Sequence, residues 1–102
     1  MPRIIALFNL KEGVDRAEYE SWARKTDLPT VNGLQSIDQF TAHRATGLLI
    51  GEGESPYQYV EVIDVNDMDV FGAELSTERM QEVAAQFGGF AQDPCFILTE
   101  DL

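Results

Sequence analysis

Three ionisable residues stand out from their surroundings. Glu61 lies inside Tyr57-Gln58-Tyr59-Val60-Glu61-Val62-Ile63-Asp64-Val65, a run rich in aromatic and β-branched residues and the strongest strand pattern in the chain. Alternation puts Glu61 on one face with Tyr59 and Ile63. A carboxylate there must be paired, hydrogen-bonded or protonated. Desolvation raises its pKa toward the range that general acid–base chemistry uses. A structural hydrogen bond to a tyrosine or the backbone, or an exposed edge position, also accounts for it. Asp27 precedes Leu28-Pro29, where a first helix is expected to break, because the residue before a proline avoids the α region. It is either a second carboxylate facing Glu61 or a cap for that turn. His43 is the sole histidine and shares a face of a predicted strand with Ile37, Gln39 and Thr41. It is either a proton shuttle or a partly exposed structural side chain. Tyr19, Trp22, Tyr57 and Tyr59 offer flat surface for an aromatic ligand, or are plain core.

Other chemistries lack their residues. One His and one Cys give no metal-ligand cluster, and the carboxylates lack calcium-loop spacing. Gly51-Glu52-Gly53 neither opens a helix nor has a third glycine, so it is no dinucleotide fingerprint. No nucleophile-elbow motif supports Ser-His-Asp catalysis. Cys95, beside Pro94 at the start of an apolar run, reads as inert. The expectation is therefore side-chain chemistry with no cofactor and no metal.

The elements that must position these groups can be read from periodicity. Residues 3 to 10 form an apolar strand with a short N-terminal flank, not a signal peptide. Asp15 with Glu18 makes a capping box, and Tyr19, Trp22 and Ala23 share a helical face. Residues 36 to 44 and 57 to 65 read as strands, joined by a connection with three glycines and an exposed-looking Leu48-Leu49-Ile50. A short helix holds Met68, Phe71 and Leu75. A second, starting at Ser76, holds Met80, Val83, Ala84 and Phe87, and Gly88-Gly89 is expected to end it with a left-handed cap. Residues 95 to 99 are the last strand. The order βαββαβ is the ferredoxin-like plan: an α+β domain with an antiparallel four-stranded sheet and helices on one face.

The 102 residues fit one domain (1–102), marginal in core size. The first and third strands are apolar on both faces, while helices cover only one. A second copy of the sheet is the simplest cover for the other, so a homodimer is expected. The formal charge of −11, with seven scattered basic residues, argues against nucleic-acid binding and against anionic membrane surfaces. No apolar run reaches the length of a membrane span. A single cysteine fits a reducing, cytoplasmic setting.

The pattern Tyr19-x-x-Trp22, Asp27-x-Pro29-x-Val31, Gly33-Leu34 resembles the first helix and following loop of dimeric α/β-barrel proteins. Over essentially its full length the chain resembles their RedY-like family. The resemblance implies face-to-face packing of two sheets and a cavity in each subunit between sheet and helices. It also implies a role in prodiginine- or tripyrrole-type pigment biosynthesis, in which a reactive aromatic intermediate is steered through cyclisation. Many relatives carry histidine where this chain has Asp27. A carboxylate there needs desolvation or a nearby Glu61 to work near neutral pH.

Three function classes follow. The first is a cofactor-independent cyclase- or isomerase-type enzyme acting on a pyrrole- or indole-type intermediate, with Asp27 and Glu61 exchanging protons, His43 assisting and the aromatics holding the ring. The second is a non-catalytic carrier for a pathway intermediate. The third is an interaction protein docking through its acidic surface.

Overall fold

The computed structural model describes residues 2–102; Met1 of the N-terminal flank lies outside them. Strand β1 (Arg3–Leu10) is followed by helix α1 (Arg16–Trp22), a π-helical turn (Ala23–Asp27) and helix α2 (Leu28–Asn32). Strands β2 (Ile37–Arg44) and β3 (Tyr59–Val65) come next, then helices α3 (Met68–Leu75) and α4 (Glu78–Phe90), and strand β4 (Ala91–Thr99). The strands form one antiparallel sheet in the order β2-β3-β1-β4. This is the ferredoxin-like α+β arrangement that the element order predicts.

Local chemistry explains most boundaries. The Asp15 side chain accepts from the Ala17 N–H, Asp67 accepts from Asp69 and Val70, and Thr77 accepts from Met80. Each satisfies donors that the first helical turn would leave open. Thr77, not Ser76, therefore starts α4.

Three expectations are corrected. The first helix does not break before Pro29. It widens by one π turn, in which the Leu28 N–H bonds to the Ala23 carbonyl, and continues as α2. Proline has no N–H to give and its ring crowds the carbonyl four residues back; the wider turn accommodates both. Gly88-Gly89 do not cap α4. Both are helical, and the helix runs on to Phe90 before Ala91 turns extended. A register shift between Ile37 and Gln39 breaks the alternation of β2. Ile37 joins the helix-covered core, whereas Gln39, Thr41 and His43 pair with Asp64, Val62 and Val60 on the other face.

The core lies between sheet and helices in two clusters. Ile4, Ile37, Phe40, Ile63, Phe71 and Met80 belong to one. Phe8, Tyr19, Ala23, Tyr59 and Ala91 form the other, edged by Trp22, Phe87 and Phe90. The opposite face of the sheet carries Ile5, Leu7, Val60 and Val62, half-buried and uncovered by any helix.

Candidate active site

The two clusters are separated by one row of the sheet. Along β3, Tyr59 belongs to one cluster and Ile63 to the other, with Glu61 between them. Along β1, Phe8 and Ile4 divide in the same way, with Ala6 between. Glu61 is paired with Ala6 on one side and Ala42 on the other. Two methyl groups flank the carboxyl in the sheet, and Glu61 lines a cavity of about 470 Å³ between the sheet and α3–α4.

Asp27 enters this cavity from the helical side. It is the last residue of the π turn, the kind of local widening that re-aims side chains at functional sites. Asp27 is 6% exposed and Glu61 3% exposed. Among the described residues, they are the only polar side chains on the cavity wall. The rest comes from aliphatic, aromatic and methionine side chains, with Phe71, Met80 and Phe87 above and Phe40 and Ile63 below. Phe96 and Leu98 of β4 also line it, 55% and 71% exposed, and mark its mouth.

Burial without a cation fixes the electrostatics. Desolvation lifts the Glu61 carboxyl to about 8, and the charge of Asp27 adds to that. Desolvation alone lifts Asp27 to about 7. The pair titrates as a unit, and near neutral pH it holds about one proton, mainly on Glu61. One Glu61 carboxyl oxygen, Oε2, is buried without a hydrogen-bond partner, as is the Tyr19 hydroxyl. Burial, together with the charges of Glu61 and Asp27, keeps the Tyr19 hydroxyl protonated. A carboxyl that keeps its proton beside a carboxylate supplies a general acid and a general base in one apolar site.

The other sequence candidates lie elsewhere. His43 is on the uncovered face, exposed, with Nε2 2.9 Å from Thr41 Oγ1; the sheet separates it from the pair. None of the four proposed aromatics lines the cavity that holds Asp27 and Glu61. Tyr19 stacks edge-on against Phe8 and Tyr59 in the second cluster. The Tyr59 hydroxyl donates to Glu20 at 2.7 Å. Trp22 donates from Nε1 to Gln86, and Tyr57 lies in the loop before β3. Cys95 is exposed.

Glu20 was not legible as an important residue. It accepts from Arg44 Nε at 2.7 Å and from the Arg44 guanidinium a second time, as well as from Arg24 and Tyr59. Arg44 chiefly, with Tyr59 and Arg24, holds its pKa at about 2. This knot ties α1 to the ends of β2 and β3. Only the Glu20–Arg24 spacing of four was visible in the sequence. Ala6 and Ala42 were also missed. A small residue inside an otherwise bulky strand was the available signal.

Among the described residues, no three His, Cys, Asp or Glu side chains converge as metal ligands, and no helix is long and apolar enough to cross a membrane.

Residues 2–102 match the family model described as REDY-like protein HapK. No curated protein matches the chain. Among solved structures, HapK from Hahella chejuensis is 28% identical with a TM-score of 0.78, covering 100% of this chain and 93% of that one. A dimeric ferredoxin-like protein of unknown function from Thermobifida fusca is 20% identical with a TM-score of 0.74, covering 98% and 90%. SnoaB, a cofactor-independent oxygenase from Streptomyces nogalater, is 16% identical with a TM-score of 0.73, covering 98% and 91%. The last two are likenesses of fold.

Proposed function

The chain belongs to the REDY-like HapK family, and from that footing we propose that it is a cofactor-independent enzyme of small-molecule biosynthesis, moving protons on an aromatic pyrrole- or indole-type intermediate of pigment assembly. The observation that carries this reading is the Asp27–Glu61 pair, two buried carboxyls on the wall of an otherwise apolar cavity. The cavity has the size and lining of a small-molecule site. In the proposed step the Asp27 carboxylate takes a proton from one substrate atom while the Glu61 carboxyl gives its proton to another. The substrate is isomerised or cyclised with no net gain of protons, and the pair is left with its one proton on the other carboxyl. SnoaB shows that a protein of this fold can be an oxygenase without a cofactor; this chain is assigned proton transfer because its site offers an acid and a base.

The same reading makes the chain a homodimer that closes the apolar face carrying Leu7 and Val62; the Thermobifida fusca neighbour of this fold is dimeric. Glu61→Gln keeps the shape of the side chain and removes the transferable proton. It is expected to lower turnover about 100-fold or more while circular dichroism and ligand binding persist. Full turnover in that variant would remove the enzymatic reading. The carrier reading is favoured by the same apolar wall, and it predicts that both Glu61→Gln and wild type bind the intermediate and convert none of it.

A further inference from the structure

We infer that the cavity between the sheet and α3–α4 selects flat apolar molecules carrying a protonated nitrogen, and discriminates against molecules of the same shape carrying a carboxylate. This rests on the reading of that cavity as the binding site, and adds the charge of what enters it.

The first observation is the inventory of charge. Among the described residues, Asp27 and Glu61 are the only ionisable groups on the wall. Across the sheet Glu61 faces Ala6 and Ala42, and β4 contributes Phe96 and Leu98. α2 contributes Val31, α3 Met68 and Phe71, and α4 Met80 and Phe87. The titratable group beyond the wall that feels both carboxyls is Tyr19 of α1, itself an acid. The nearby arginines, Arg24 and Arg44, are bound to Glu20 on the far side of Tyr59. Among the described residues, no cation faces the pair.

The second observation is independent of charge. Glu61 Oε2 is buried and has no donor. A buried polar atom left unpaired is costly, and an N–H aimed down the cavity satisfies it. A cationic N–H also supplies the missing counter-charge. A carboxylate would add a third acidic group to a dry site and gain no partner.

Proton balance gives a second readout. An amidinium arrives with its proton fixed. Its charge favours the fully ionised pair, so the proton shared by Asp27 and Glu61 leaves to solvent. Binding near pH 7 is therefore accompanied by release of up to one proton.

The test is calorimetry on the intact protein at pH 7 with 2-naphthamidine and 2-naphthoate, in buffers of different ionisation enthalpy. Methyl NMR of Met80 reports occupancy of the cavity. The amidine is expected to bind about tenfold or more tightly than the acid, roughly 1.4 kcal/mol, with proton release. Asp27→Asn/Glu61→Gln, whose shape is conserved, should lose both the preference and the release. If both probes shift Met80 with equal affinity, or the acid binds better, charge selection is overturned and the binding site stands. If neither probe shifts Met80, the inference and the binding-site reading fall together.

Discussion

At the scale of single residues, the account rests on how an apolar cavity changes two ordinary carboxyls. With Asp27 raised to about 7 and Glu61 to about 8, the state with one proton on the pair is most populated between those values. Turnover should therefore peak near pH 7–8 and fall on both sides. A pH–rate profile with no decline between pH 8 and pH 9.5 would contradict this assignment. The same shifts bear on stability. An acid whose folded pKa is raised holds more protons folded than unfolded between its two values. Its burial thus costs stability that grows as pH climbs from the ordinary carboxylate range, about 4, to the folded value. Glu61→Gln should stabilise the protein at pH 8, on the order of 4 kcal/mol, and the gain should vanish near pH 4. Denaturant titrations at the two pH values measure it. Glu20 works in the opposite direction. Its pKa is lowered to about 2, by Arg44 first, so what it contributes is present above the ordinary carboxylate range and lost as pH falls toward 2. Glu61 was legible because a charged residue interrupts an apolar strand. Glu20 was not, because Arg44 lies 24 positions away and only the fold brings them together.

At the scale of elements, periodicity located the strands and helices but not their irregularities. The π turn before Pro29 and the bulge in β2 each insert one residue. Each changes which way the side chains point: the first places Asp27 in the cavity, the second separates His43 from Ile37. A one-residue insertion leaves composition and hydrophobic pattern almost unchanged, so neither was visible. The aromatics left two readings open, pocket lining or plain core. Tyr19 and Tyr59 pack their rings against Phe8 and lie in the core. The cavity wall also includes two small residues, Gly72 and Ala84. Gly72 in α3 lines it, and a Cβ there would meet no atom within 4 Å. Gly72→Ala should stabilise the protein by about 0.5–1 kcal/mol, because alanine loses less backbone entropy in a helix. A denaturation midpoint that falls instead would show that the wall of the cavity is tighter than described.

At the scale of the whole molecule, the element order made the sheet topology legible, and the two-sided apolar strands made the uncovered face legible. Ile5, Leu7, Val60 and Val62 leave that face half-buried, which a second sheet would close. Leu7→Arg puts a charge at its centre. It should convert the proposed dimer to a monomer or leave it aggregation-prone, which light scattering after gel filtration would show. A wild-type mass equal to one chain would contradict the homodimer. The ligand was not legible at any scale beyond its class, because an apolar wall specifies size and flatness but few atoms.

The central claim is that Asp27 and Glu61 together keep a proton at neutral pH. Carbon-13 NMR of the side-chain carboxyls in uniformly labelled protein, titrated from pH 4 to pH 10 and assigned with Asp27→Asn and Glu61→Gln, tests it directly. Two carboxyl resonances titrating near pH 7 and pH 8 are predicted, with the Glu61 midpoint falling when Asp27 is replaced by asparagine. Both groups fully ionised by pH 5.5 would contradict the account.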